Sequence, residues 1–174
     1  MKDDYRWLAP FYEHIAQLVF DQELRLAHFD LMESGCGLLE QTKLIVWLGG
    51  GTGIGINELL KAAPRARLIY IEPSRHMLQR AQIKVKPKFK KRVEWVLDTH
   101  LWLYQPTQSL RWADQPVDVL ITAFMLDVLR QETLIELIRW SNKHVNTWFY
   151  ADFVPQKKWY KRIFIQFMYI CFML

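Results

Sequence analysis

Residues 44–80 read LIVWLGGGTGIGINELLKAAPRARLIYIEPSRHMLQR, and the rest of the chain is organised around them. Leu44, Ile45, Val46, Trp47 and Leu48 form an apolar run that stops abruptly at Gly49, Gly50, Gly51 and Gly53. A buried strand running into a tight turn has this look. Beyond the turn, Ile54, Leu59 and Leu60 are expected on one face of a short helix that Pro64 ends. Leu68, Ile69, Tyr70 and Ile71 then form a second strand ending at Glu72. The unit is strand, glycine loop, helix, strand, acid.

Glycines leave no Cβ to hold a ligand away, and the helix after such a loop points free N–H groups and the positive end of its dipole at whatever anion sits there. An acid at the tip of the next strand, about 20 residues on, is placed to accept hydrogen bonds from ribose hydroxyls. A nucleoside-bearing ligand is therefore expected. The dinucleotide fingerprint G-x-G-x-x-G fails, because Ile54 stands sixth from Gly49 and Ile56 sixth from Gly51. A phosphate-cradling P-loop fails as well, since no Gly-Lys-Ser/Thr follows.

The G-x-G-x-G loop at 49–53, Glu72 with Pro73-Ser74-Arg75-His76-Met77, and Asp98 after a third strand together resemble the motifs of the class I S-adenosylmethionine-dependent methyltransferases. Within that superfamily the likeness is to the ubiquinone/menaquinone-biosynthesis type, and it runs from Tyr5 to about Asp152. The resemblance implies S-adenosylmethionine (SAM) as cofactor. It implies contacts from Gly49, Gly50, Gly51, Thr52 and Gly53, ribose on Glu72 and Pro73, and adenine near Met77, Asp98 and Thr99, with Thr122 on the same strand-end edge. One position departs from the pattern: the acid usually found two residues before the first glycine is Trp47 here, whose own role reads as core packing.

A length of 174 residues with 51% hydrophobic and 24% charged composition suits one structural unit with a substantial core. Within it, 1–37 is expected to be an N-terminal helical cap and 38–174 a Rossmann-like SAM-binding part. The first residues carry acids where a secretory signal would be basic. Two cysteines, Cys36 and Cys171, give neither a disulfide framework nor metal-ligand spacing. A metal-free cytoplasmic protein is expected.

Residues 5–32 read as helical, with Leu8, Phe11, Tyr12, Ile15 and Val19 at helical spacing and a second piece over 22–32. The pattern Tyr5, Ala9-Pro10-Phe11-Tyr12 resembles the N-terminal helix that covers cofactor and substrate in the quinone-type enzymes. This implies that Tyr5, Tyr12 and His14 line the active site. A helix over 74–82 leads to residues 83–92, where six of the 23 lysines and arginines crowd together. The segment from Lys84 to Arg92 reads as a solvated basic loop capable of weak membrane-surface contact.

Residues 93–97 form the third strand, ending at Asp98, and residues 117–122 the fourth. After it come Phe124, Met125 and Leu126 instead of an Asn/Asp-Pro-Pro-aromatic tetrad, so methylation of nucleic-acid bases is disfavoured and no nucleic-acid partner is expected. Phe124 and Met125 are the expected apolar wall for a small-molecule or quinone- or lipid-like acceptor. An O- or C-methylation also needs a base, for which His14, His100, Asp127 and Asp152 are candidates; none has a spacing that singles it out. A helix over 132–142, a fifth strand over 145–152 and an apolar helix over 157–174 complete the chain.

The fold implied is α/β, a Rossmann-like three-layer sandwich with a mostly parallel sheet and an N-terminal helical cap. It lacks the C-terminal β-hairpin that the family places after the last helix. Either the sequence is a piece of a longer protein or a second copy of the chain supplies the cover, and the second alternative predicts self-association through the fifth strand and the C-terminal helix. Competing with the methyltransferase are a degenerate methyltransferase fold acting without catalysis, to which Trp47 points, and a dinucleotide-dependent oxidoreductase, which the glycine spacing opposes.

Overall fold

The computed structural model describes residues 23–105, 115–152, 158–163 and 166. The element order is α1 (Glu23–Ser34), α2 (Cys36–Leu39), β1 (Leu44–Leu48), α3 (Ile56–Ala62), β2 (Arg67–Ile71), α4 (Arg75–Lys84), a 3₁₀ turn (Pro87–Arg92) and β3 (Val93–Val96). A second 3₁₀ turn (His100–Tyr104), β4 (Val117–Ala123), α5 (Gln131–His144) and β5 (Val145–Ala151) follow. The segment 159–163 is helical, within the expected last helix.

The five strands lie in the order β3-β2-β1-β4-β5, and every pairing is parallel. Both faces of such a sheet are covered, and this is why β1 is apolar at every position and buried throughout. One face carries Ile45, Trp47, Leu68 and Tyr70 against α1 to α4. The other carries Val46, Leu48, Ile69 and Ile71 against α5 and Trp102 and Leu103 of the second 3₁₀ turn. Trp47 is fully buried and pairs in register with Tyr70, which pairs with Trp95. Position 47 is therefore core, as its apolar neighbours suggest.

The chain moves outward from β1 through β2 to β3, then returns to place β4 on the other side of β1. The sheet thus has its switch point between β1 and β4, where open α/β sheets hold their ligands beyond the carboxyl ends of the strands.

Three local expectations are corrected. Ile54 lies in the turn instead of on the helix, which begins at Ile56 after Gly55 in a left-handed conformation. The basic segment is ordered secondary structure, with α4 running to Lys84 and a 3₁₀ turn over Pro87–Arg92. Arg92 is an internal bolt: its guanidinium donates to the carbonyls of Leu60 and Ala63 at the end of α3 and of Ala66 just before β2, so one side chain ties three backbone carbonyls together.

Candidate functional site

The strand-end residues singled out in the sequence gather at the carboxyl edge of the sheet. Gly51 sits at the centre, clamped from both sides by β2 and its end. Its N–H donates to Glu72 Oε2 at 2.9 Å, and its carbonyl accepts from Tyr70 Oη at 3.1 Å. Glu72 Oε1 accepts from Ser74 N at 2.9 Å, and the carboxylate is buried, with 6% exposure. Ser74 caps α4 by accepting from Met77 N, which fixes Pro73 and the buried Met77 beside the loop. The predicted acid is thus a structural tie for the loop as well as a ligand candidate.

The glycines divide by what surrounds them. A Cβ on Gly50 would lie 2.3 Å from Cζ of Tyr70, and one on Gly53 would lie 2.9 Å from Ala81 Cβ. Those two positions are small because protein packs against them. Gly51, at φ +60°, has nothing within 4 Å of such a Cβ. It is the place where the loop backbone faces open space and a ligand can approach. Gly49 packs against the side chain of Met125, and Thr52 is buried with Lys84 Nζ 3.3 Å from its hydroxyl.

Asp98 follows β3. Its Oδ1 accepts from Thr99 N at 2.7 Å and its Oδ2 from Gln105 Nε2 at 3.2 Å, while the Thr99 hydroxyl caps the second 3₁₀ turn through Leu101 N. His100 stacks near Tyr104, with ring centroids 6.0 Å apart. Burial pulls its imidazole below the usual value, against the opposing pull of Glu136 and Asp98, so it is neutral at pH 7. Thr122 is fully buried, and its hydroxyl accepts from the Trp148 indole at 2.9 Å.

Phe124 holds a left-handed backbone, φ +57°, unusual for a residue with a side chain. Its N–H donates to the carbonyl of Ala151, and its ring lies 5.4 Å from that of His28 on α1. Asp152 Oδ2 accepts from Asp127 N at 3.1 Å. The four candidate bases therefore separate. Asp127 and Asp152 stand beside the Phe124–Met125 wall, His100 stands beside Asp98, and His14 lies outside the described residues together with Tyr5 and Tyr12.

Sequence reasoning missed His28 and Tyr70. His28 is buried, 6.0 Å from Trp47 and 5.4 Å from Phe124, and belongs to a row of rings that continues through Tyr70 and Trp95. A tyrosine inside a buried strand was a usable signal, because a buried hydroxyl seeks a partner; here that partner is the glycine loop.

The chain was compared with known proteins. No protein-family model and no curated protein matches the sequence. Solved structures do match. The plantazolicin methyltransferase BpumL, in complex with SAH and a monoazolic desmethylPZN analog, aligns over 82% of this chain and 52% of its own, at 16% identity and TM-score 0.59. The mitomycin 7-O-methyltransferase MmcR aligns over 82% of this chain and 42% of its own, at 15% identity and TM-score 0.54. A putative SAM-dependent methyltransferase from Methanococcus maripaludis aligns over 93% and 69%, at 13% identity and TM-score 0.57. The fold is that of the class I SAM-dependent methyltransferases. The chain spans about half the length of the first of these structures.

The site's residues fit the nucleoside half of SAM. Gly51 offers open backbone, and Glu72 and Asp98 offer carboxylates, each with roughly four acceptor positions, of which the bonds above use two. The charged methionine end finds no carboxylate at position 47, because Trp47 is sealed in the core.

Proposed function

We propose that the protein is a SAM-dependent methyltransferase acting on an apolar small molecule or a quinone- or lipid-like acceptor. The observation that carries the reading is the clamp on Gly51: a glycine loop tied to the strand-end acid Glu72, with open space above Gly51 alone. SAH in the BpumL structure supports the choice of ligand. Bound SAM would supply an electrophilic methyl on a positively charged sulfur. Gly51 and Glu72 would hold the nucleoside with Asp98, and Phe124 and Met125 would exclude water and align an apolar acceptor. Asp127 or Asp152, beside that wall, would take the acceptor's proton; His100, on the Asp98 side, is the alternative.

A second reading, a methyltransferase fold that binds cofactor or a partner without catalysis, is favoured by Trp47, which removes a counter-charge for the cofactor's ammonium. Calorimetry with SAM, SAH, NAD and NADP separates the cofactor classes. A methylation screen with labelled SAM over phenols, quinols, lipids, tRNA and protein extracts then separates enzyme from non-enzyme. Labelling confined to tRNA or protein would overturn the acceptor class, and no labelling with intact SAM binding would favour the second reading.

The wider proposals stand on surface features. We propose residues 1–37, of which 1–22 lie outside the described residues, as an N-terminal cap. Self-association runs through β5 and the C-terminal helix, with Tyr150 65% and Trp159 72% exposed as contacts. Sedimentation as a monomer at micromolar concentration would refute it. Among the described residues no helix is long and apolar enough to cross a membrane. A cytoplasmic location is proposed, with weak membrane-surface contact through the segment from Lys84 to Arg92.

A further inference from the structure

The amino-terminal edge of the sheet, opposite the candidate site, gathers a cluster of basic side chains. Two segments far apart in sequence are bolted together there. Arg92 donates to the Leu60, Ala63 and Ala66 carbonyls, Asn57 Nδ2 donates to the Lys84 carbonyl, and Lys86 N donates to Asn57 Oδ1. These bonds set the end of α3, with Lys61 and Arg65, beside the 3₁₀ turn that carries Lys88, Lys90 and Lys91. Lys43 and Arg67 join through the bond from Arg67 N to the Lys43 carbonyl. A depression of about 710 Å³, lined in part by Lys43, Lys61, Arg65 and Glu40, opens on this face. Asp118 lies on the same edge, where its carboxylate accepts from Lys43 N, Leu44 N and Asn146 Nδ2.

Two further features select the kind of polyanion. At the tip, Lys86, Lys88, Lys90 and Lys91 are all exposed, and Ile83, just before them on α4, is 81% exposed. An isolated aliphatic side chain set among lysines suits a surface that offers both negative headgroups and an apolar layer beneath them. Single-stranded nucleic acid is held largely by stacking on aromatic side chains. The aromatic ring of this tip, Phe89, is half-buried, with Lys88 Nζ 4.9 Å and the Arg92 guanidinium carbon 5.6 Å from its centroid. Lysine ammoniums are point charges suited to diffuse attraction, in contrast to the fork of arginine, and the arginine of this turn is spent internally.

We infer that this basic edge docks on an anionic lipid bilayer surface, with Lys86, Lys88, Lys90 and Lys91 supplying the attraction and Ile83 entering the interface. The inference extends the weak contact proposed above to a whole face and does not depend on SAM. Strands of this length separate the two edges by about 20 Å. The docked protein would keep the candidate site turned toward water, so the surface anchors the protein and does not deliver the acceptor.

The test is co-sedimentation of the full chain with vesicles of phosphatidylcholine alone and with phosphatidylglycerol added, at low and high salt. Binding only to the anionic vesicles, reversed by salt, is expected. Replacing Lys86, Lys88, Lys90 and Lys91 together with Glu should lower partition about tenfold or more. Ile83→Ser should lower it a few-fold at unchanged charge, which simple charge attraction would not do. Thermal melts confirm that the variants fold, as exposed positions predict. Equal binding to neutral vesicles, no binding, or full binding by the quadruple variant would overturn the inference. Tighter binding to a short RNA than to anionic vesicles at the same salt would overturn it in favour of nucleic acid. A chain that binds SAM but ignores vesicles refutes only this inference, and one that binds vesicles but not SAM refutes only the methyltransferase reading.

Discussion

The two edges of the sheet favour opposite charges for a reason built into parallel topology. Every strand runs the same way and every connecting helix runs back, so helix N-termini gather at the carboxyl edge and helix C-termini at the amino edge. Acids favour the first and bases the second, through the helix dipole. α3 and α5 comply at both ends, with Glu58 and Glu132 in their first turns and Lys61 and Lys143 in their last, whereas α4 complies only at its end, with Lys84, and opens on Arg75. Glu72, Asp98, Asp127 and Asp152 add to the acidic edge at the strand ends. Lys86 and the three lysines of the 3₁₀ turn, Lys88, Lys90 and Lys91, exceed what the dipoles require. The comparison teaches that part of each edge's charge is structural, so function must be sought in the residues left after the structural ones are accounted for.

The largest effect expected is at Gly51. Gly51→Val places a branched side chain in the open space where a ligand would lie and strains a backbone at φ +60°. SAM binding measured by calorimetry should be lost while vesicle binding at the other edge is kept. Gly50→Ala breaks the molecule differently. Its Cβ meets the Tyr70 ring at 2.3 Å, so the cost should appear as about 1–3 kcal/mol of stability from overpacking. Two adjacent glycines that fail in the same way would dissolve the distinction between ligand space and packing space.

At the basic edge the same separation can be tested with cations. Arg92→Ala removes hydrogen bonds to three carbonyls and should cost roughly 1–3 kcal/mol in denaturant unfolding. Lys90→Ala, at an exposed position, should stay within about 0.5 kcal/mol. A costless Arg92→Ala would return the whole run to the status of a solvated surface.

Much of the fold was legible in the sequence, and the reason is local. The apolar runs at 44–48, 68–71 and 117–122 are long enough and clean enough to have one reading, and the glycines, Pro64 and Ser74 punctuate them. What was not legible depends on contacts between distant segments. Nothing near Arg92 in sequence announces that its guanidinium caps a helix that ends at Ala62. The glycine loop's motif marked a ligand site, but only the folded chain separates Gly51, which faces open space, from Gly50 and Gly53, which face Tyr70 and Ala81. Glu72 was singled out as a ribose ligand, and the folded chain adds a structural role, the tie to Gly51 and Ser74.

Those two roles can be separated. In Glu72→Gln one carboxylate oxygen becomes an amide that donates, so either Gly51 N–H or Ser74 N–H loses its acceptor in a buried place. A stability loss of roughly 1–3 kcal/mol without ligand identifies the loop tie. A weakening of SAM binding beyond what the loosened loop explains, measured against Tyr70→Phe, which also loosens the loop but leaves the carboxylate, identifies the ribose contact.

The smallest effect sharpens the acidic edge alone. Tyr104 follows Asp98 in the second 3₁₀ turn, stacked edge-on to Trp140 with ring centroids 6.4 Å apart, and its hydroxyl oxygen is enclosed with no hydrogen-bond partner among the described residues. Burial first, and the negative charge of Glu136 second, push its pKa up to about 12 from the usual 10. The unfolded chain therefore gives up this proton at lower pH than the folded one. The stabilisation is complete below about pH 10 and is lost as pH rises toward 12. Ultraviolet titration of the folded protein should show a late tyrosine step near pH 12 that loses one group in Tyr104→Phe. In Glu136→Gln the step should move to lower pH by only the smaller share, since burial is the larger cause. An unchanged late step in Tyr104→Phe would mean that another of the seven tyrosines is the enclosed one, and that the phenol of Tyr104 titrates in water.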